Sequence, residues 1–80
     1  MNGWCKFKID NEKETILGYS FGDNRTCDGE MRLDKATKEL KVLRSSEGET
    51  VGLVKQFYCL ARGKIRSGFE LDKLYYLASG

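Results

Sequence analysis

The first part of the chain alternates apolar and polar residues with a period of two, which is typical of half-buried β-strands. Two such runs occupy residues 5–9 and 15–21 and are separated by a polar turn, which predicts an antiparallel hairpin. Gly18 interrupts the second run and is interpreted as the mark of a bulge. The apolar positions expected to share one face of this hairpin are Cys5, Phe7, Ile9, Leu17, Tyr19 and Phe21.

A second hairpin is predicted after residues 22–29, whose glycines, aspartates and asparagine are typical of a loop. Apolar and charged residues alternate over residues 30–34 and again over residues 39–42. Leu43 breaks this alternation at the end of the hairpin. The first half of the chain therefore predicts four antiparallel strands.

The period then changes from two to about 3.6, which predicts an amphipathic helix. Ser46 and Glu49 have the spacing of a capping box, so we expect the helix to begin there. Its apolar residues cover a wide arc, as expected for a helix that lies across a sheet. Gly63 and Gly68 can both end it, and Gly68 is favoured because Ile65 still fits the apolar stripe.

Residues 71–78 fit either a strand or a short second helix, and their tyrosine-rich end favours the strand. Residues 1–80 are thus expected to form one small α+β domain of order ββββαβ. In this arrangement an antiparallel sheet of four to five strands has the helix packed on one face.

The chain contains no histidine, which excludes histidine-activated nucleophiles and histidine-based metal sites. No glycine-rich phosphate loop is present, and the carboxylates of residues 10–14 crowd a turn that is expected to be wet. A domain of this size with one helix has little room for a deep cleft. We therefore expect no enzyme, no catalytic or metal-binding residues and no cofactor.

The three cysteines, Cys5, Cys27 and Cys59, are odd in number and form no CxxC pair, so we expect reduced thiols in a cytoplasmic protein. Residues 1–6 contain no apolar run of the kind that a signal peptide has. No stretch approaches the roughly 20 apolar residues that a membrane span needs, so a membrane is not an expected partner.

The sheet face opposite the helix has no evident cover, and it is the candidate binding surface. Its Trp4, Ile16 and Leu43 would form an apolar patch for a protein partner or a second copy of the chain. The leading hypothesis is a small non-catalytic interaction module that binds through this face, with a homodimer as one form. The residues expected on this face are Trp4, Lys6, Lys8, Ile16, Arg32, Lys41 and Leu43.

Nucleic-acid binding is the alternative, because an aromatic residue among cations could stack a base and neutralise phosphates. A second basic surface is predicted on the helix, where Lys55, Arg62 and Arg66 share one stripe. The net charge is only +2, and no aromatic-basic motif of an RNA-binding sheet is present. The protein or self interface therefore stays the leading hypothesis.

Cys27 offers a third hypothesis, a thiol-based redox sensor in the loop of residues 22–30. Arg25 would favour its thiolate, whereas the adjacent Asp28 would oppose it. The competing interpretation of this loop is a polar connection between the two hairpins.

Overall fold

A computed structural model describes residues 2–78 of the chain, and these residues form five β-strands and one α-helix. Their order, ββββαβ, confirms the predicted α+β fold. Residues 1, 79 and 80, which the sequence analysis includes in the domain, lie outside the described residues. In chain order the elements are β1 (Asn2–Asp10), β2 (Glu14–Phe21), β3 (Gly29–Asp34), β4 (Leu40–Arg44), α1 (Val51–Ser67) and β5 (Tyr75–Ala78).

The strands form one antiparallel sheet in the order β4-β3-β2-β1-β5. The first four strands are neighbours both along the chain and in the sheet, so the two predicted hairpins join into a meander. β5 follows the helix and pairs with β1, as the tyrosine-rich tail predicted. As a result β2 is the central strand, and β4 and β5 are the two edges.

The helix packs on one face of the sheet, which we call the inner face. Its Phe57 ring packs against two aromatic rings of β2, with centroids 5.5 Å from Tyr19 and 5.4 Å from Phe21. These contacts remove large apolar surfaces from water, which supplies the main stabilisation of a small domain. The buried residues of the helix are Leu53, Val54, Phe57 and Ala61.

A bulge in β1 changes the expected orientation of its last apolar residue. Phe7 pairs with Leu17, but the next paired residues are Ile9 and Ile16, so Lys8 is the extra residue of the bulge. Ile9 therefore leaves the inner face and is 48% exposed, and its predicted place beside Phe7 is wrong. Gly18, where a bulge was predicted, pairs regularly on both sides.

The second irregularity explains the broken alternation in β4. Glu30 pairs with Arg44 and Met31 with Val42, so Leu43 is an extra residue between the two pairs. The side chain of Leu43 is 50% exposed.

The helix begins one turn later than the sequence predicted. Gly48 adopts a φ of +81°, which interrupts a right-handed helix, and Thr50 is the N-cap whose Oγ1 accepts from the Leu53 N–H at 3.2 Å. The Glu49 carboxylate does reach the Ser46 N–H at 3.3 Å, so half of the predicted capping box forms, but it lies before the helix. The predicted end at Gly68 is confirmed.

No helix within residues 2–78 combines the length and the apolar character that crossing a bilayer requires.

The position of the cap can be tested with two alanine variants. Thr50→Ala should lower the free energy of unfolding by about 1 kcal/mol, because it leaves the Leu53 N–H without its acceptor. Amide hydrogen exchange should accelerate at Leu53 in this variant and stay unchanged there in Ser46→Ala. Faster exchange at Leu53 in Ser46→Ala alone would place the cap at Ser46 instead.

Candidate interaction surfaces

The outer face of the sheet, opposite the helix, has a cover at its centre. Residues 22–28, which we call the covering loop, fold back over β2 after its last residue. The Cys27 N–H donates to the Ser20 hydroxyl at 3.3 Å, and that hydroxyl donates to the carbonyl of Asn24. Lys8 adds a hydrogen bond from its ammonium to the Cys27 carbonyl at 3.3 Å. The expectation of an open outer face is therefore wrong for its central part.

Small side chains on β2 make room for the covering loop. A Cβ atom at Gly18 would lie 3.1 Å from the Cys27 carbonyl oxygen and 2.6 Å from Cε of Lys8. Ser20 is the next outward-facing residue of β2, and it is fully buried under the loop. Gly18 is thus explained by a close approach of backbone and not by a bulge.

Several of the cations predicted on the outer face are engaged by carboxylates. Lys8 lies 3.6 Å from Glu30, and the Arg32 guanidinium lies 3.4 Å from both Glu14 and Asp34. Their charges are thus largely balanced within the face. Lys6 and Lys41 have no carboxylate within 4 Å among residues 2–78.

The three apolar residues predicted to form one patch are separated. Ile16 is only 6% exposed, so it cannot form part of a contact surface without rearrangement. Trp4 lies on β1, next to the β5 edge, whereas Leu43 lies on β4 at the opposite edge. The three apolar residues thus do not form a continuous apolar patch.

Trp4 belongs instead to an aromatic corner that includes residues far away in sequence. Its ring lies 5.0 Å from that of Tyr76, the residue it pairs with on β5, and Tyr76 is 47% exposed. The guanidinium of Arg25, from the covering loop, lies 4.4 Å from the centroid of the Trp4 ring. Such a cation–π contact orders the loop against the sheet. The tyrosine-rich tail predicted that Tyr76 lies in a strand, but only the pairing of β5 with β1 shows that it lies beside Trp4.

On the inner side of the same edge lies a shallow groove of about 530 Å³ between the helix and β5. It is mostly apolar and continues from the exposed edge of β5. Its lining residues are Lys55, Gln56, Cys59, Leu60, Leu77 and Ala78.

The predicted basic stripe of the helix divides between two surfaces. Lys55 lines the shallow groove beside β5, whereas Arg62 and Arg66 line a second groove of about 530 Å³ next to the β3–β4 turn. Lys35 and Lys38, from that turn, line the second groove as well. The sequence did not indicate these two lysines, because only the fold brings the turn next to the helix.

Two carboxylates near the second groove are held by strong hydrogen bonds. The Lys35 ammonium, 2.8 Å from Asp10, holds the pKa of that carboxyl below its usual range, with the Thr15 hydroxyl as a further donor. The backbone N–H of Thr37 lowers the pKa of the Asp34 carboxyl, and the N–H of Ala36 is a further donor that lowers it. Both aspartates are therefore charged at neutral pH.

The cysteines do not support a reactive thiol at Cys27. Cys27 is fully buried, and burial raises the pKa of its thiol. Burial also raises the pKa of Cys5, to about 12. Cys59 is the exposed cysteine. Since the thiolate is the nucleophile, both the burial of Cys27 and the raised pKa of its thiol disfavour reaction there.

Comparison of the chain with protein-family models, with curated proteins and with solved structures finds no match. The functional argument therefore depends on the geometry described above. Within residues 2–78, no group of three or more cysteine, aspartate or glutamate side chains is arranged to hold a metal ion.

Thiol labelling of the native chain should distinguish the three cysteines. Cys59 should react rapidly with a thiol-specific reagent at neutral pH, whereas Cys5 and Cys27 should react only after denaturation. Peptide mapping by mass spectrometry identifies the labelled residue. Rapid labelling of Cys27 in the folded chain would contradict this result and restore the redox hypothesis.

The cover of the outer face can be tested by adding one methyl group. Gly18→Ala should lower the free energy of unfolding by about 1 kcal/mol, because its Cβ is crowded by the Cys27 carbonyl. It should also speed the labelling of Cys27 as the loop loosens. Gly63→Ala is the matched control: nothing lies within 4 Å of its Cβ, and an alanine inside the helix should stabilise the fold by about 0.5–1 kcal/mol. Equal stability changes in the two variants would contradict the close approach at Gly18.

Proposed function

We propose that this chain is a small, non-catalytic interaction module that self-associates through the edge of β5. β5 carries no charged side chain, whereas β4, the other edge strand, carries Lys41 and Arg44. Charged residues on an edge strand oppose pairing with another molecule. The uncharged edge strand beside an aromatic pair, the exposed Tyr76 and the half-buried Trp4, is the observation that carries the proposal.

The occupant proposed for this edge is a second copy of the chain. Two β5 strands related by a twofold axis would run antiparallel, and the strands themselves would bring no charged side chains together. Two β4 strands in the same arrangement would bring lysine and arginine side chains against each other. Charge therefore favours β5 over β4 for contact between identical chains.

Both sides of the β5 edge offer apolar surface to such a contact. Tyr76 lies on the outer side with Trp4 behind it, and Leu60 and Leu77 line the shallow groove on the inner side. A domain of 80 residues buries a smaller fraction of its surface than a larger one, so an apolar contact with a second copy adds burial that it lacks.

A cytoplasmic location is part of the proposal. The three cysteines are free, and a reducing compartment keeps thiols in this state.

The alternative, nucleic-acid binding, has less support on the outer face. Lys8 and Arg32 are already paired with carboxylates, and Arg25 covers the Trp4 ring. A base would have to displace that guanidinium before it could stack. The face therefore favours a protein partner.

The proposal is tested by measuring the solution mass by size-exclusion chromatography with light scattering, at low and high salt. The chain should be a dimer that persists in high salt, because apolar contacts are not screened by ions. Tyr76→Lys should weaken the dimer at least about tenfold, since it brings two charges to the interface.

Leu43→Lys is the matched control, because Leu43 is 50% exposed and lies at the opposite edge. It should leave the dimer intact, and circular dichroism melts should show both variants folded. A monomeric chain at every concentration, or dissociation by Leu43→Lys and not by Tyr76→Lys, would overturn the proposal.

A further inference from the structure

The second groove, which we call the basic groove, lies on the inner side of the sheet. It is bounded by the second half of the helix and by the β3–β4 turn, and its volume is about 530 Å³. Grooves of this volume are large enough to hold a ligand. The lining residues are Thr15, Leu33, Asp34, Lys35, Lys38, Tyr58, Arg62, Ile65 and Arg66.

The charge of this groove is strongly positive. Four cations line it, and the carboxylate among its lining residues, Asp34, is already bonded by Arg32 and by two backbone N–H groups. Lys35 is neutralised by Asp10. Lys38, Arg62 and Arg66 have no carboxylate within 4 Å among residues 2–78. Like charges gathered at one groove repel each other until an anion is bound.

The three unpaired cations differ in their other interactions. Arg66 lies in the last turn of the helix, where its charge also complements the helix dipole. The guanidinium of Arg62 lies 5.6 Å from the centroid of the Tyr58 ring and is exposed. Lys38 and Arg62 are therefore the cations whose charge is most available to a ligand.

Lys38 is held in a backbone conformation that disfavours a lysine. Its φ is +65°, in the left-handed region where glycine and asparagine are favoured. The fold fixes it there through two hydrogen bonds, from its own N–H to the Asp34 carbonyl at 2.9 Å and from the Tyr58 hydroxyl to its carbonyl at 3.3 Å. A charged side chain is thus presented at the groove from a position where glycine would give a more stable fold.

The inner wall of the groove is apolar. Ile65, which is 41% exposed, and the half-buried ring of Tyr58 line it, with the buried Leu33 beneath the surface. Apolar surface between cations matches a ligand that combines negative charges with an apolar group.

We propose that the basic groove binds a peptide segment of a partner protein in which acidic side chains flank an apolar one. The acidic groups pair with Lys38, Arg62 and Arg66, and the apolar side chain contacts Ile65, which is 41% exposed. This site shares no residue with the β5 edge, so it is independent of the proposed self-association.

The geometry favours a peptide over a nucleotide or a nucleic acid. The groove is open on one side, so it would leave much of a small ligand exposed. Base stacking needs a free aromatic face. Tyr58 is half-buried, its hydroxyl is bonded to Lys38 and Arg62 lies over its ring. A ligand that needs charge pairing and an apolar contact, but no stacking, fits this wall.

Fluorescence anisotropy on the full chain tests this site with three labelled probes of equal charge. The probes are a synthetic peptide of glutamates around two leucines, an oligoglutamate and a single-stranded oligonucleotide. The leucine-containing peptide should bind most tightly, and Ile65→Ser should reduce its affinity to that of oligoglutamate. Chemical shifts of the amides around the groove, followed by NMR, locate the bound peptide.

Two double variants that remove equal charge distinguish binding at the basic groove from non-specific electrostatic attraction. Lys38→Gly with Arg62→Gln should lower the affinity for the peptide at least about tenfold. Lys41→Gln with Lys55→Gln also removes two positive charges, but outside the groove, and should change the affinity for the peptide less than about twofold. Lys38→Gly alone should raise the thermal stability while it weakens binding, because glycine suits the left-handed conformation.

Three results would overturn the proposal. The first is no binding of the peptide to the unaltered chain at millimolar concentration. The second is an equal loss of affinity in the two double variants, which would show diffuse attraction. The third is tighter binding of the oligonucleotide with the same dependence on Lys38 and Arg62, which would assign the groove to nucleic acid.

Discussion

The structure depends on the burial of β2 on both of its faces. Residues 15–21 are all buried, although only one face of the sheet carries a helix. Phe57 covers the inner face at Tyr19 and Phe21, and the covering loop closes over the outer face at Gly18. A five-stranded sheet with one helix would otherwise leave its central strand half exposed. The loop therefore acts as a second layer of the domain and is more than a connection between hairpins.

Periodicity was enough to predict the elements and the fold class, because each strand and the helix bury one face and expose the other. The incorrect predictions concern details of local structure that the periodicity does not determine. The bulge at Lys8 depends on the pairing of β1 with β2, and it turns Ile9 outward. Ser46 satisfied the spacing of a capping box, but the positive φ of Gly48 moved the helix start to Thr50.

The candidate surfaces were less predictable than the fold, because each joins residues that are far apart in the chain. Trp4 was identified, but its partner Tyr76 and the covering Arg25 come from β5 and from the covering loop. The charges of Lys8 and Arg32 could be counted in the sequence, whereas their pairing with carboxylates depends on strand register. The feature of the sequence that could have indicated the covering loop is the pair of small residues, Gly18 and Ser20, on the outer face of the central strand.

The division of charge over the molecule lets the two proposed contacts coexist. Beneath the net charge of +2, the edge strand β5 has no charged side chain of its own, whereas the groove beside the β3–β4 turn has three unpaired cations. Because these surfaces share no lining residue, a dimer formed through β5 would still present two open grooves. Two linked grooves raise the effective concentration of the second site for a partner with two acidic segments. Self-association would then strengthen a weak peptide contact without any new contact in the groove itself.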